Sequence, residues 1–408
     1  MKQTFKGCIW YISKYVCPNG YDGTGTRGFL LMHHMANMGY KSVILTSNSN
    51  HLIKNIPNFH GDAYIENIDK VDIHWIKTKQ YLKTNSFNRI LSWIDFEFKL
   101  LFYDKKKIHR PDIIIVSSLS LLTIINGIFF KIFYRAKLVF EIRDIWPLTI
   151  IEEGKFSRFN PFVLFLNVIE RFGYFFSDKI IGTMPNLGEH LGNLGINKKA
   201  YCIPMGIDEK SFKNMKKLPQ SYINRYIPKD KFIVMHAGSV GITNALDTLF
   251  ECAKKLADHK KIHFVIVGEG DLISKYINEQ NHLKNLTFAP RVEKKMVQNL
   301  LSKSNLLYFS AYNSKVWRYG QSLNKIIDYM YSGKPIIGSY SGYPSMINEA
   351  NCGKFVEAGC AKTLKREILA IYEKTDNELN KMGQNGKSWL LMNRKYDKLA
   401  KQYIEILL

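Results

Sequence analysis

Short runs that are apolar at every position, rich in Ile, Val and aromatic residues, recur along this chain, each followed by a stretch of helical period. A strand that is apolar throughout, and not at every second position, needs cover on both faces. A mainly parallel sheet between helices provides that cover, and its crossovers are right-handed. The first series reads GCIWYIS, RGFLLMHHMANMG and KSVILTS, then PDIIIVSS, AKLVFEIRD, DKIIGTM and AYCIPMG with helical segments between. A second series opens at KFIVMHAGSVG. It continues through helix 245–258, IHFVIVGEGD, helix 271–279, LTFAP, helix 293–302, NLLYFSAY, KPIIGSY and GKFVEAG. Between the series, IDEKSFKNMKKLPQSYINRYIPKD is polar and has no strong period, so it reads as a linker. With 408 residues the chain exceeds one ordinary core. The expected fold is α/β, with two tandem Rossmann-like parallel-sheet domains over residues 1–205 and 206–390 and a C-terminal helix over 391–408 that can pack back on the first domain.

One segment competes with this reading. IIIVSSLSLLTIINGIFF, residues 113–130, just reaches the membrane-spanning minimum of about 18 residues. It carries three Ser, a Thr, an Asn and a Gly, and a split at Ser117-Ser118 turns it into a buried strand followed by a helix. The opening MKQTFKGCIWYISKYV lacks a small-residue cleavage pattern and reads as a first strand, not a signal peptide. Six cysteines are thinly spread without a CxxC pair, which fits free thiols in a reducing cytoplasm and implies neither zinc nor a disulfide framework. The formal net charge of +23 favours an anionic partner, whether nucleic acid, membrane face or phosphate-bearing substrate, although a Lys-rich solvated surface gives the same number. No recognition-helix, zinc or RNP pattern accompanies the charge, so nucleic acid is not expected.

In open parallel sheets ligands bind beyond the C-terminal ends of the strands. Five loops occupy such places. SKYVCPNGYDGTGTRGF brings Gly23, Gly25 and Arg27 after the first strand, where glycines permit close backbone approach and Arg27 could clamp a phosphate. FEIRDIWP puts Arg143 and Asp144 at a strand end. HAGSVGITNALDTL offers Gly238, Ser239 and Gly241 for anion contact, with Asn244 placed to cap the next helix. VGEGD adds Glu269 for hydroxyl contacts, with Asp271 as an N-cap, and Arg291 follows the strand LTFAP. WRYGQSLNKIIDYM sets Arg318, Gly320, Ser322, Asn324 and Lys325 at a helix start suited to a diphosphate, with Asp328 one turn on, able to accept two hydroxyls of a ribose diol. Each loop also has an ordinary reading as a turn, a surface ion pair or a cap. No GxSxG, HExxH or clear DxD is present, and no metal site is expected. That pattern fits chemistry in which a substrate phosphate leaves and the protein orients and stabilises charge.

The order and spacing of GSVG…LDTL, VGEGD, SLNKIIDYMYSGKPIIGS…NEANCG, FEIRDIWP and IERFGYFFSDKIIGTMPNLGEHL resemble family 4 glycosyltransferases of GT-B fold, nearest to the WbuB-like transferases of bacterial O-antigen and capsule synthesis. The resemblance implies two Rossmann-like domains with an interdomain cleft and a retaining, metal-independent transfer from a nucleotide sugar, expected to be UDP-linked, without a cofactor. It implies a donor site at Gly238, Ser239, Gly241, Asn244, Glu269, Arg291, Arg318, Gly320, Ser322, Asn324, Lys325 and Asp328. In the family an E-x7-E motif holds the donor. Its second acid falls on Asp328 and its first on Gly320, so the sugar-contacting glutamate is missing here. The family's Arg and Lys clamp is missing as well, with Ser239 and Asn244 near those places and Arg318 and Lys325 as substitute cations. Arg143, beside Asp144, stands where the family often has a histidine, and the pair is the expected catalytic element near the anomeric centre or acceptor.

The donated sugar expected from the subgroup is an N-acetylated aminosugar or a deoxysugar, and the acceptor a polyprenyl-diphosphate-linked saccharide. The enzyme would then sit peripherally on the anionic inner face of the cell membrane. FNRILSWIDFEFKLLFYDKKKIHR (87–110) and FNPFVLFLNVIERFGYFF (159–176) are greasy enough to lie there, or to pack into a core. An epimerase acting on nucleotide sugars with the same architecture, or a non-enzymatic nucleotide- or basic-surface-binding protein, would leave a similar sequence.

Overall fold

A computed structural model describes residues 5–81, 87–106 and 108–408. Residues 1–4 of the opening stretch and Lys107 of the 87–110 stretch lie outside the described residues. Two compact units form, one from Met1–Gly206 with Tyr396–Leu408, the other from Ile207–Lys395.

In the first unit the order begins β1 (Cys8–Ile12), α1 (Arg27–Asn37), β2 (Lys41–Ser47), β3 (Ala63–Ile68), β4 (Val71–Ile76) and α2 (Phe87–Phe102). It continues β5 (Ile113–Ser117), α3 (Thr123–Tyr134), β6 (Lys137–Ile142), α4 (Leu148–Glu152), α5 (Pro161–Phe176), β7 (Lys179–Gly182), α6 (Leu187–Asn193) and β8 (Ala200–Cys202). The sheet order is β3-β4-β2-β1-β5-β6-β7-β8. All pairs are parallel except β3 with β4. β1 and β5 are buried at every position, as their unbroken apolar runs require. Segment 113–130 divides at Ser117 into a buried strand and the following helix.

The second unit holds α7 (Gln220–Tyr226), β9 (Phe232–Ala237), α8 (Asp247–Lys255), β10 (Ile262–Val267), α9 (Ile273–Gln280) and β11 (Leu286–Ala289). Then come α10 (Val297–Leu301), β12 (Leu306–Ser310), α11 (Asn324–Tyr331), β13 (Ile336–Ser339), α12 (Met346–Glu349), β14 (Gly353–Val356), α13 (Ala361–Tyr372) and α14 (Asp376–Asn393). Its six strands run β11-β10-β9-β12-β13-β14, all parallel. After α14 the chain returns to the first unit as α15 (Tyr396–Leu407), which packs on α1 and places Tyr403, Ile404 and Leu407 in that core.

A four-element rivet lies at the centre of the first unit. The Arg27 guanidinium pairs with Glu141 at 2.6 Å, both fully buried, and donates to the Ile203 carbonyl at 2.6 Å. Tyr11 donates to the other Glu141 oxygen at 2.8 Å, and Tyr403 approaches at 3.4 Å. Burial acts to raise the Glu141 pKa, but the Arg27 and Arg143 charges and the hydrogen bonds outweigh it and hold the acid below its usual range. The expectation that Arg27 clamps a phosphate is thereby corrected: its charge is consumed inside the core, tying α1 to β6, β1, α15 and the chain leaving β8.

Candidate functional site

The order of the second sheet fixes where a ligand fits. From β9 the chain steps outward to β10 and β11, then returns to the other side of β9 as β12 and proceeds to β13 and β14. The crevice beyond the carboxyl ends of β9 and β12 is therefore the topological switch point. Two of the sequence-selected loops leave those two strands. Loop 238–241 follows β9, and segment 311–323 joins β12 to α11.

Loop 238–241 is pinned from one side. Its Gly238 and Val240 amides donate to Val267 (3.0 Å) and Glu269 (2.9 Å). Gly268 and Gly270 serve this seam: a Cβ on either would stand 1.8 Å from the Gly238 carbonyl oxygen or 2.2 Å from that of Val240. The VGEGD glycines thus exist for backbone packing. The amides of Ser239, Gly241, Ile242 and Thr243 make no hydrogen bond to any described residue. Asn324 and Lys325, the first residues of α11, likewise keep unbonded amides. Unpaired amides of this kind hold anions well.

Lys325 joins the two sets. Its ammonium donates to the Asn244 side-chain oxygen and lies against Gly238, where an added Cβ would be 3.6 Å from Nζ. Burial lowers its pKa to about 8. Asn244 therefore does not cap the next helix. It ends a 3-10 turn, and α8 starts at Asp247 with no side-chain cap. Asp271 does not cap either, since α9 starts at Ile273 with Leu272 in the N-cap place. His236, buried beneath Lys325, is held neutral, with a pKa pushed down to about 3 by burial and then by the Lys325 charge. The Tyr329 hydroxyl accepts from the Ala237 N–H at 2.8 Å and sits 3.1 and 3.2 Å from the Ala237 and Tyr308 carbonyls, anchoring α11 to the end of β9. Sequence reasoning missed both His236 and Tyr329. Tyr329 falls one turn after Lys325 in NKIIDYM, the single signal that could have paired them.

Asp328 follows Lys325 by three residues on α11. No described residue donates to its carboxylate, and burial, opposed by Lys294, raises its pKa to about 6. An unengaged, partly desolvated carboxylate is primed to accept hydrogen bonds from hydroxyls. Gln298 donates to the Asp328 carbonyl at 3.0 Å and steadies this turn. Ser322 is half-buried and Asn324 exposed at the start of α11. Arg318 lies earlier, exposed on the 3-10 turn Lys315–Tyr319 and not on the helix start. Gly320 closes that turn with φ +103°, a conformation that a glutamate would adopt only under strain. Glu269 and Arg291 meet as an exposed ion pair at 3.7 Å.

The remaining selected residues belong to the first unit. Gly23 bridges to Ile53, and a Cβ there would stand 2.1 Å from the Leu52 carbonyl, while one on Gly25 would meet Leu52 Cδ1 at 2.9 Å. These glycines admit the neighbouring loop. Lys14, the other cation of this loop, is buried and donates to Ser47 Oγ and the Ser49 carbonyl at 3.2 and 3.1 Å. At the end of β6 the Arg143 amide donates to Ser118 Oγ (2.9 Å), leaving Arg143 half-buried and Asp144 exposed.

Residues 223–389 match the family model "Glycosyl transferases group 1". Among solved structures the chain is similar to sucrose-phosphate synthase from Thermosynechococcus elongatus, with 17% identity, a TM-score of 0.74 and 98% of each chain covered. It is also similar to HepE of Anabaena in complex with UDP-glucose, with 14% identity, a TM-score of 0.63 and coverage of 98% and 99%. WaaG, a glycosyltransferase involved in lipopolysaccharide biosynthesis, matches with 14% identity, a TM-score of 0.64 and the same coverage. A search of curated proteins finds no match. The chain has the GT-B fold, two α/β units with mostly parallel sheets.

Proposed function

We propose that the protein is a retaining glycosyltransferase that moves a sugar from a nucleoside-diphosphate sugar to a lipid-linked saccharide in bacterial surface polysaccharide synthesis, working peripherally on the cytoplasmic face of the membrane. The group 1 glycosyltransferase match over the second unit supports the reaction class. One observation carries the donor assignment: two sets of unbonded amides and the Lys325 ammonium converge at the switch point, with the Asp328 carboxylate one turn on. The diphosphate would lie on the amides and Lys325, with Arg318 adding charge, and the ribose hydroxyls would donate to Asp328. The donor complexes of HepE with UDP-glucose and UDP support a uridine nucleotide as first choice.

In the proposed reaction the bond from the anomeric carbon to the diphosphate oxygen breaks and one to the acceptor hydroxyl oxygen forms on the same face. The hydroxyl proton passes to the departing phosphate, so no strong protein base is required. Each well-aimed amide or cation could stabilise the leaving charge by about 3 kcal/mol. Arg143 and Asp144 are proposed to act on the acceptor side, and no metal is required. Incubation with a panel of nucleotide sugars tests the proposal: release of nucleoside diphosphate from one of them is expected, and inertness toward all would refute it.

A further inference from the structure

We propose that α3, flanked by α2 and α5, is a lipid-inserting face that holds the first unit on an anionic membrane by burial of apolar side chains, with cations at its edge in a secondary role. This deepens the lipid-linked-acceptor reading and rests on that reading only for its purpose.

A helix that is apolar all round belongs inside a large core or in contact with lipid. α3, TIINGIFFKIFY, comes close to this, with Lys131 its single charged residue, yet it lies on the surface of its unit. Its inner face is spent on the sheet: a Cβ on Gly127 would stand 2.5 Å from Val116, and Phe130 is buried. Every exposed position of α3 is apolar, namely Ile125, Phe129, Ile132 and Phe133, the last 67% exposed. α3 packs against both α2 and α5. α5 adds Leu164, Phe165, Val168, Phe172 and Phe175, with Phe175 68% exposed, and α2 adds Ile94, Phe98 and Phe102. Scattered exposed apolar residues are ordinary, but a continuous field over three neighbouring helices marks an interaction surface.

Charge selects the occupant. No acidic side chain is exposed on α3 or α5, where Glu170 is buried. Lys131, Arg135 and Lys198 gather at their C-terminal ends. Lys131 donates to the Phe176 carbonyl (2.8 Å) and pairs with the exposed Asp178 (2.7 Å), while Lys198 donates to the Phe175 carbonyl (2.6 Å), so the edge beside the phenylalanines holds three cations and one acid and stays net positive. An apolar field with a cationic border fits acyl chains beneath anionic headgroups, whereas a second copy would set like charges against each other. No described helix is long and apolar enough to cross a membrane, so the face would lie in the interface and not span it.

The test uses the full chain and vesicles of phosphatidylcholine with phosphatidylglycerol. Sedimentation with vesicles should persist in 1 M NaCl, where surface charge is screened within about 3 Å. Release at high salt would reduce the attachment to electrostatics and overturn the proposal. The variant I132S/F133S/F172S/F175S should lose at least about tenfold in partitioning. It should keep the wild-type melting temperature and UDP affinity, because all four residues are exposed and in the first unit. Undiminished partitioning would refute the assignment. Phe133→Trp should gain fluorescence that bromine-labelled lipid quenches, and unquenched emission would count against insertion. Sedimentation velocity without lipid should show a monomer, and a dimer dissolved by the same four substitutions would assign the face to a second copy. Loss of UDP binding in wild type would speak against the donor site alone.

Discussion

Two ionisable side chains on one helix turn would set the pH response of the proposed donor site. Asp328 accepts two hydroxyls only when ionised, so it works above its pKa of about 6; Lys325 carries its charge only below about 8. Nucleotide affinity measured across pH should form a bell between those values, and Asp328→Asn should abolish the acid limb only. A profile flat from pH 5 to 9 would contradict both roles. Arg27 makes the opposite case. Arg27→Met removes one partner of a buried pair and should lower unfolding stability by about 3–5 kcal/mol in urea titration. It should leave nucleotide affinity unchanged, whereas a phosphate clamp would show the reverse. The sequence showed Arg27 as a loop cation after the first strand, and its burial could not be read there because it is decided by the distant Glu141 and the chain after β8. Gly320 differs again. With φ +103° the turn itself is built for glycine, so Gly320→Glu should destabilise by about 1–3 kcal/mol without improving donor binding.

Elements were legible wherever a single period governed them. The apolar strands and the division of 113–130 follow directly from pattern, since a parallel strand covered on both faces has no polar position. The β3–β4 hairpin escaped because its two-residue turn is Asp69-Lys70, both at positive φ (49° and 71°), where the recognisable pair would end in glycine. Loop glycines show a related difficulty: the close approach expected at Gly23 and Gly25 is made by the protein's own chain, as it also is at Gly268 and Gly270. Gly268→Ala should therefore act on structure first. Displacing the Gly238 carbonyl should cost about 1–3 kcal/mol of stability. It should also weaken nucleotide binding through the shifted amides of 239–243, seen as a lower melting temperature with a smaller ligand-induced rise.

For the whole molecule, the net charge of +23 divides between two environments. Part of it borders the apolar field of the first unit, and part sits buried as Lys14, Arg27 and Lys325. Surface field and buried cation look alike in a composition count. In the proposed reaction, charge supplied by backbone amides and a lysine stands in for a divalent ion, so donor binding and turnover should survive excess EDTA, and activity restored only by magnesium would count against that design. The central claim is that the switch point of the second unit holds a nucleoside diphosphate through loop 238–243, Lys325 and Asp328. Calorimetric titration of UDP with EDTA present, into wild type and Asp328→Ala, addresses it most directly. Saturable binding by wild type and at least about 100-fold weaker binding by the variant are predicted, from the loss of two hydrogen bonds to a charged group at about 1.5 kcal/mol or more each. Equal affinity of the two proteins, or no binding by wild type of UDP or any other nucleoside diphosphate, would contradict it.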